Sequence, residues 1–229
     1  MKESQRSDGR DTCRRLLEAA AATFADRGFH ETTVADICRR AGTNIAAVNY
    51  HFGGKEALYA KAWRHCFEAS VAKHPPDGGV AAGAPAEARL QGQILALVRR
   101  IMDPDSLDVD ILHKEMATPT GLLETVVMRS IERFREQFDR VVRELLGVDA
   151  SVVDVQLCQM SIMAQCFGPL LRERERRRHG RRSGGSDTVL DRVTLGELAE
   201  HIHRFSLAGI RERKKRGGPR RRAPTKGTK

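Results

Sequence analysis

The sequence predicts an all-α protein, with a three-helix N-terminal head and a helical C-terminal domain. Apolar residues recur at steps of three and four along most of the chain, which is the period of a helix. No stretch alternates polar and apolar residues over several positions, so strand signals are absent. The 229 residues are 40% hydrophobic and 31% charged, a composition typical of a globular rather than a disordered protein.

Three helices are predicted within the first 52 residues. In the first, Leu16, Ala20 and Phe24 follow one another at steps of four and form an apolar stripe. Asp11 is a candidate N-cap for this helix and Gly28 a candidate stop. The predicted bounds of the three helices are Thr12–Asp26, Thr33–Ala41 and Ile45–Phe52.

The helices that follow are mostly longer, and Pro- and Gly-rich segments separate them. Residues 74–85 (HPPDGGVAAGAP) form the first such linker. We place a domain boundary there or slightly earlier, inside the helix that carries Trp63. The division is into residues 1–58, residues 59–215 and a disordered basic tail, residues 216–229. The predicted bounds of the remaining helices are Lys55–Lys73, Ala86–Met102, Leu107–Ala117, Leu122–Leu146, Ser151–Arg177 and Leu195–Glu212.

Composition also excludes several classes of protein. No apolar run approaches the roughly 18 residues of a membrane span, and the charged N-terminal segment lacks the apolar core of a secretory signal. The five cysteines are widely spaced without a Cys-x-x-Cys motif, which favours reduced thiols over a disulfide framework. We therefore expect a cytoplasmic protein without a membrane partner.

The positive charge is concentrated away from the head. The chain has a formal net charge of +10, to which residues 172–182 contribute +5 and residues 211–229 contribute +9. Residues 1–58 carry nine basic and eight acidic residues and are nearly neutral. The C-terminal basic segment is either solvated or adds nonspecific attraction to phosphates. Any sequence-specific DNA binding by the head must therefore rest on a few well-placed contacts.

Two short helices joined by a Gly-containing turn, after a longer amphipathic helix, are the pattern of a helix-turn-helix motif. Here the motif spans residues 33–52, and Gly42 permits the turn. Ile37 on the first helix and Val48 and Phe52 on the second are expected inside the head. The opposite face of the second helix is then free to enter a major groove, where its first turns reach base edges.

The stretch FADRGFHETTVADICRRAGTNIAAVNYHFGGKEALY resembles the DNA-binding domain of TetR-family bacterial transcriptional regulators. The Gly-Phe link, the Thr-Thr at a helix start, the Ala-Gly turn and the His-Phe-x-x-Lys-Glu-x-Leu segment occur at the family spacing. The variant AGTNIAAVNYHFGGKEALY, with the later HKEMATPT, resembles a particular subgroup of that family. The resemblance implies a homodimer that binds a palindromic double-stranded operator and is released or altered by a small-molecule effector in the C-terminal helices.

The motif supplies a set of candidate DNA contacts. Thr33 starts a helix, where its hydroxyl and backbone N–H can hold a phosphate, and Lys55 matches the phosphate-contacting lysine of the family. An asparagine at position 49 can pair with adenine. The candidates are Thr33, Asn44, Ala46, Ala47, Asn49, Tyr50, His51 and Lys55.

Each of these assignments has a structural alternative. Thr33 can be a plain N-cap, and Lys55 a surface lysine. His51 can be a packed histidine, and Asn49 can be solvated. These alternatives are left open by the sequence.

Apolar residues on the last two long helices form a seam that suits helix packing. They step by three and four residues. In the family that the chain resembles, these helices form a four-helix bundle across the dimer axis, although the spacing equally suits packing inside one chain. Pro169 removes a backbone donor and predicts a kink or a helix end near Gln165–Pro169. The predicted dimer-interface residues are Val153, Leu157, Met160, Ala164, Phe167, Leu198, Ile202 and Phe205.

Methionine and aromatic residues in the C-terminal domain are candidates for an adaptable apolar effector site. Glu115 could accept a cationic or hydrogen-bonding ligand there, or it could cap a neighbouring helix or pair with an arginine. The other apolar candidates could equally be plain core. The predicted ligand-binding residues are Trp63, Phe67, Met102, His113, Glu115, Met116, Met128 and Met163.

Neither a metal site nor catalysis is predicted. His201 and His203 are two residues apart and face different sides of a helix, and no Cys-rich cluster occurs. No glycine-rich phosphate loop or Gly-x-Ser-x-Gly motif occurs, so we expect no enzyme activity and no cofactor. The resulting prediction is a ligand-responsive transcriptional regulator, most simply a repressor. Two rivals stay open, namely a helical small-molecule-binding or enzymatic protein with a relic motif and an architectural DNA binder that uses its basic tail.

Overall fold

The protein is all-α in the part of the chain that its computed structural model describes, residues 2–178 and 188–216, with backbone only for residues 2–8. No strand occurs in these residues, which confirms the predicted fold class. None of the described helices is long and apolar enough to cross a membrane. The helices are α1 (Lys2–Arg27), α2 (Val34–Ala41), α3 (Ile45–Phe52), α4 (Lys55–Lys73), α5 (Ala86–Met102), α6 (Leu107–Ala117), α7 (Glu124–Leu146), α8 (Val152–Arg178) and α9 (Leu195–Arg216), with a 3-10 turn at Val189–Asp191.

Most predicted helix ends lie within two residues of the observed ends. The exceptions are the start of α1 and the end of α9, which continues four residues past the predicted Glu212 to Arg216. Helix α1 begins at Lys2, so the prediction of Asp11 as its N-cap was wrong. Asp11 lies inside α1, where its carboxylate pairs with Arg14 and Arg15. These pairs, one turn apart on the helix surface, support the helix through this charged segment. The predicted stop is confirmed, since Gly28 has φ 77 and its N–H bonds to the carbonyl of Phe24.

The helix end predicted near Pro169 is absent, because α8 continues through Pro169 to Arg178. A proline costs one backbone hydrogen bond, but packing beyond it holds the helix together. Leu170 is fully buried, and Glu173 and Arg174 are buried one turn later. Glu173 also binds Arg176 through two hydrogen bonds of 2.7 Å.

The first compact unit comprises Met1–Pro75 and Arg99–Arg133. In it, α1 packs against α2, α4 and α6. The interior is built from apolar side chains on these helices and on α3. Its fully buried members include Leu16, Phe24, Ile37, Val48, Leu58, Tyr59, Trp63 and Ile111.

The second compact unit comprises Pro76–Val98 and Phe134–Lys229. In it, α8 packs against α9, and ion pairs and hydrogen bonds link α5 to α7 and α9. Its buried apolar residues include Leu90, Ile94, Val142, Ile162, Cys166, Leu170 and Ile202. The functional division at residue 58 remains a prediction, and the basic tail lies outside the described residues apart from Arg216.

A close approach of backbone to backbone fixes the Gly-rich loop onto α5. Gly92 is buried in the middle of α5, and a Cβ there would lie 2.6 Å from Val80 Cγ2 and 2.7 Å from the carbonyl oxygen of Asp77. Real Cβ atoms do not approach backbone this closely, so only glycine fits. Glycine usually destabilises the interior of a helix, but Gly92 is required here because the loop packs directly against it.

We expect Gly92→Ala to lower the free energy of unfolding by about 1–3 kcal/mol, despite the better helix propensity of alanine, because the loop must move away. Thermal or urea unfolding measures the change. Gly83→Ala is the control, since nothing lies within 4 Å of a Cβ there. Equal stability of Gly92→Ala and Gly83→Ala would show that the loop is not held against α5.

Candidate nucleic-acid interface

The second helix of the motif, α3, is capped at both ends, by a side chain at the start and by backbone at the end. The Asn44 side chain accepts a hydrogen bond of 3.1 Å from the backbone N–H of Ala47. Gly53 ends the helix in the left-handed conformation, with φ 81. Val48 and Phe52 are buried, as predicted, and set the rotation of the helix about its axis.

This rotation turns a short polar and aromatic face outward. Tyr50 is 85% exposed, and Asn49 and Ala46 are exposed beside it. Ala47 and His51 are half-buried at its edges. The structure therefore places all of these predicted residues on or beside one accessible side of α3.

Ile45 is an exposed part of this face that sequence reasoning missed. It is the first residue of α3 and is 52% exposed. It lies three residues before buried Val48, which places it on the same side of the helix. The burial of neighbouring residues does not determine the exposure of Ile45, because the first turn of a helix can extend beyond the elements that cover the rest of that helix.

Thr33 is used by the cap of α2. Its hydroxyl accepts from the Asp36 backbone N–H at 3.1 Å, and its backbone N–H donates to Asp36 Oδ2 at 3.3 Å, which completes a capping box. The hydroxyl also donates to Asp36 Oδ2 at 2.6 Å. The hydrogen bond from the Thr33 side chain is the main cause that lowers the pKa of Asp36. Arg27 and Arg39 also pair with this carboxylate. The hydroxyl of Thr33 thus has the plain N-cap role.

Lys55 stands at the first turn of α4, where the helix dipole is positive. Gly54, with φ 146, precedes it, and no side chain caps the helix there. The Lys55 ammonium lies 4.1 Å from the ring centroid of Phe29, and burial lowers its pKa. Both the dipole and the partial burial disfavour a cation at this place. An anion bound beside the ammonium and the uncapped N–H groups would offset both costs.

An apolar surface lies on α8 and α9. Phe205 is 66% exposed and Met160 is 62% exposed, with exposed Val153 and Leu157 on the same helix as Met160. Together with Ala164, which is exposed, we call these residues the α8–α9 apolar face. A groove in this face is lined by Leu157, Ser161, Gln165, Phe205 and Gly209.

The other predicted interface residues are more enclosed. Ile202 is buried inside the second unit, so this member of the seam packs within the chain instead of facing solvent. Phe167 and Leu198 are half-buried. Helical spacing alone did not show which of the predicted interface residues face the interior of the unit and which face solvent, because both faces of α9 carry apolar residues.

The predicted ligand residues differ in their burial and in the protein groups that they contact. Trp63 and Phe67 stack at a centroid distance of 5.0 Å, but both are buried and engaged. Trp63 donates from its ring nitrogen to the carbonyl of Asp108, and the Arg100 guanidinium lies 4.8 Å from the Phe67 ring centroid. Met102 and His113 are half-buried. Met163 belongs to the other compact unit.

Glu115 is occupied by protein donors. Its carboxylate accepts from Tyr59 at 3.0 Å, from the Thr120 backbone and side chain, and from the Gly121 backbone at 3.0 Å. It therefore fits the structural alternative and holds the turn after α6. Met116 is 67% exposed, and Met128 is also exposed.

A metal site and a reactive thiol each require particular side chains in particular surroundings. No group of three His, Cys, Asp or Glu side chains that could hold a metal ion occurs in residues 2–178 and 188–216. Burial raises the pKa of the Cys66 and Cys166 thiols to about 12, which suppresses the reactive thiolate.

Two protein-family models match this chain, one over the helix-turn-helix region and one over the C-terminal helices. The family model described as bacterial regulatory proteins, tetR family, matches residues 16–62. The model described as the C-terminal domain of the HTH-type transcriptional dual regulator CecR matches residues 86–210, more than half of the chain.

Individual relatives agree with these matches. The HTH-type transcriptional regulator SrpR of Pseudomonas putida is 26% identical over 84% of this chain and 85% of its own length. The dual regulator CecR of Shigella flexneri is 26% identical over 62% of this chain and 68% of its own length. The solved structure of AibR in complex with isovaleryl coenzyme A and operator DNA has a TM-score of 0.62 at 15% identity, over 85% of this chain and 97% of AibR, and shows the same fold.

The fold, the capped recognition helix and these matches define a helix-turn-helix transcriptional regulator with a helical C-terminal domain. The chain belongs to the TetR family of bacterial regulatory proteins, with a C-terminal domain of the CecR type.

Proposed function

We propose that this regulator is a homodimeric repressor that binds a palindromic operator in the cytoplasm and is released by a small-molecule effector. The observation that carries the proposal is the exposed face of α3, with Asn49 and Tyr50 accessible and Val48 and Phe52 locking the helix from behind. A helix held in this way can enter a major groove without rearrangement.

Base reading is assigned to the centre of the α3 face. The Asn49 amide offers the donor and acceptor pair that matches adenine N6 and N7. Ala46 and Ala47 are short, which lets the helix approach closely and touch a thymine methyl. Tyr50 and His51 are assigned to the backbone or to neighbouring bases, and Asn44 to the start of the helix.

Phosphate binding is assigned to Lys55. We expect Lys55→Ala to weaken binding to all DNA sequences alike, because the contact reads the backbone and not a base. The slope of log affinity against log salt should fall by about 0.9 for each subunit bound. Fluorescence anisotropy with operator and with scrambled DNA at several salt concentrations measures both effects.

Lys61→Ala is the matched control, because Lys61 lies on the same helix with its ammonium 5.3 Å from the ring centroid of Phe52. An unchanged salt slope in Lys55→Ala, or an equal change in both variants, would argue against the phosphate contact.

Dimerisation is assigned to the α8–α9 apolar face. Exposed apolar surface of this kind on a folded chain is typical of an interaction site. A two-fold symmetric contact would bring the same residues of two chains together. The two reading heads of such a dimer must lie about 34–36 Å apart to enter successive major grooves on one side of the duplex.

Effector control is supported by the likeness to AibR, which was solved in complex with isovaleryl coenzyme A and operator DNA. An effector lowers operator affinity only by its differential binding to the two states of the dimer. The test is a gel shift with the DNA that flanks the gene of this protein, in the presence and absence of candidate effectors. Specific retardation that an effector abolishes supports the proposal, whereas retardation that no effector changes would leave a regulator without ligand control.

A further inference from the structure

The ring of Phe29 is held in place by the way in which α1 ends. Gly28 ends the helix in the left-handed conformation, with φ 77, and its backbone N–H donates to the Phe24 carbonyl at 2.8 Å. The chain turns there, and the ring of Phe29 stacks with the ring of Phe24 at a centroid distance of 6.2 Å. A hydrophobic contact of this kind often accompanies a helix that ends at glycine. Phe29 is therefore fixed relative to α1.

A tyrosine of α4 contacts the same ring. The centroid of the Tyr59 ring lies 5.0 Å from that of Phe29 and 4.7 Å from that of Phe24. Tyr59 is fully buried, and its hydroxyl donates to Glu115 at 3.0 Å, which restricts the ring further. Aromatic pairs at these distances attract one another beyond the effect of their buried area. The three rings therefore form one packed cluster that joins α1 to α4.

The Lys55 ammonium lies over the half-buried ring of Phe29. The distance from Lys55 Nζ to the ring centroid is 4.1 Å, well inside the roughly 6 Å at which a cation is attracted to an aromatic face. No carboxylate pairs with Lys55 in the described part of the chain. The ring of Phe29 is thus the group that determines where this ammonium lies.

This arrangement matters for binding because a lysine side chain is among the most flexible in a protein. It loses more rotamer freedom than most side chains when a contact immobilises it. A ring that already restricts Lys55 in the free protein reduces the entropy that is lost when a phosphate binds. The ammonium has three N–H donors, and attraction to a ring face leaves donors available for a phosphate oxygen.

We propose that Phe29 is a positioning residue for DNA binding, which holds the Lys55 ammonium at the start of α4 where a phosphate binds. The inference rests on the proposed function, because that function assigns the phosphate contact to Lys55. Phe29 acts only through Lys55. Its replacement should therefore make the phosphate contact weaker without removing it.

Phe29→Leu removes the aromatic face and keeps an apolar side chain. Affinity for operator DNA and for scrambled DNA should both fall, by about threefold per subunit and so about tenfold for the dimer, because Lys55 must then be ordered at the moment of binding. The slope of log affinity against log salt should stay the same, because the same phosphate is still neutralised. Fluorescence anisotropy at several salt concentrations measures both quantities.

The Lys55→Ala background separates positioning from general damage to the head. Without the lysine there is nothing to position, so Phe29→Leu should cause no further loss of affinity there. Phe67→Leu is the matched control, because the Phe67 ring also lies beside a cation, 4.8 Å from the Arg100 guanidinium, in the same compact unit. It should leave DNA affinity unchanged in both backgrounds. Equal losses from Phe29→Leu with and without Lys55 would show a merely structural role and overturn the proposal.

Fluorination changes the charge distribution of a ring with little change in its shape. Full-length protein with one, two or three fluorine atoms on the Phe29 ring should bind DNA progressively more weakly at a nearly constant melting temperature, because fluorine weakens the negative face that attracts the cation. The same series at Phe67 should leave DNA affinity unchanged. An affinity that does not depend on the number of fluorine atoms at Phe29 would overturn the proposal.

The free protein offers a test that does not depend on DNA. The ring current of Phe29 should shift the ε-methylene protons of Lys55 to higher field than those of the other lysines. Nuclear magnetic resonance of protein with labelled lysine measures the shift, and Lys55→Arg identifies the signal by its loss. The shift should vanish in Phe29→Leu and persist in Phe67→Leu. Absence of the shift in the wild type would overturn the proposal.

These measurements separate the inference from the proposed function. If Lys55→Ala leaves DNA affinity unchanged, the phosphate contact fails and the role of Phe29 fails with it, while operator reading by α3 stands. If Lys55→Ala weakens binding and Phe29→Leu does not, only the inference about Phe29 fails.

Discussion

Replacement of Phe205 by glutamate should convert the protein into a monomer at micromolar concentration. Phe205 is 66% exposed on one chain and belongs to the α8–α9 apolar face. Burial of a phenylalanine side chain contributes about 1.5–3 kcal/mol. In a two-fold interface each chain contributes one Phe205, so the substitution removes this contribution twice. The dissociation constant of the dimer should therefore rise by roughly 1,000-fold. Light scattering after gel filtration measures the mass directly.

Operator affinity should fall with the dimer. One reading head covers only one half-site, and the second head no longer binds as part of the same molecule. Met116→Glu is the control, because Met116 is equally exposed, at 67%, but lies on α6. Circular dichroism should show both variants folded. A dimeric Phe205→Glu variant with full operator affinity would place the interface elsewhere.

Replacement of Asn49 by alanine should change which base the protein prefers at one position of each half-site. A bidentate pair between an amide and adenine contributes about 1–3 kcal/mol of discrimination. Asn49 is exposed, and alanine has the higher helix propensity, so the fold should not weaken. Selection of binding sequences from a random pool, with the wild type and the variant in parallel, measures the preference.

The expected pattern distinguishes base recognition by Asn49 from nonspecific electrostatic attraction to DNA. In Asn49→Ala, affinity for operator DNA should fall while affinity for scrambled DNA and the salt slope stay the same. Lys55→Ala provides the opposite pattern and serves as the internal contrast. The same selected sequences from wild type and Asn49→Ala would remove Asn49 from the reading surface.

Local patterns in the sequence were enough for the helices and for the orientation of α3. The steps of three and four, with glycine or proline at the boundaries, placed most helix ends within two residues. The start of α1 was missed because its first turns are charged and carry no apolar stripe. Their helical state rests on pairs such as Arg14 with Asp11 and Glu18, which a search for buried faces does not detect.

The long-range partners of polar side chains could not be read from the sequence. Glu115 meets Tyr59, a residue far away in the chain, and this pairing decides that its carboxylate is structural. The place of the Phe29 ring beside the Lys55 ammonium is likewise a property of the assembled fold. Ile202 and Phe205 are both apolar residues of α9, yet only the packing of α8 shows that one is buried and the other exposed.

The central claim is that a dimer of this chain reads operator DNA with the exposed faces of its two α3 helices. Hydroxyl-radical footprinting on the DNA that flanks its gene tests this claim most directly. The account predicts two symmetric protected regions with centres about 34–36 Å apart on one side of the duplex, and their loss in Asn49→Ala at equal protein concentration. Absence of sequence-specific protection at physiological salt, or an identical footprint from Asn49→Ala, would contradict it.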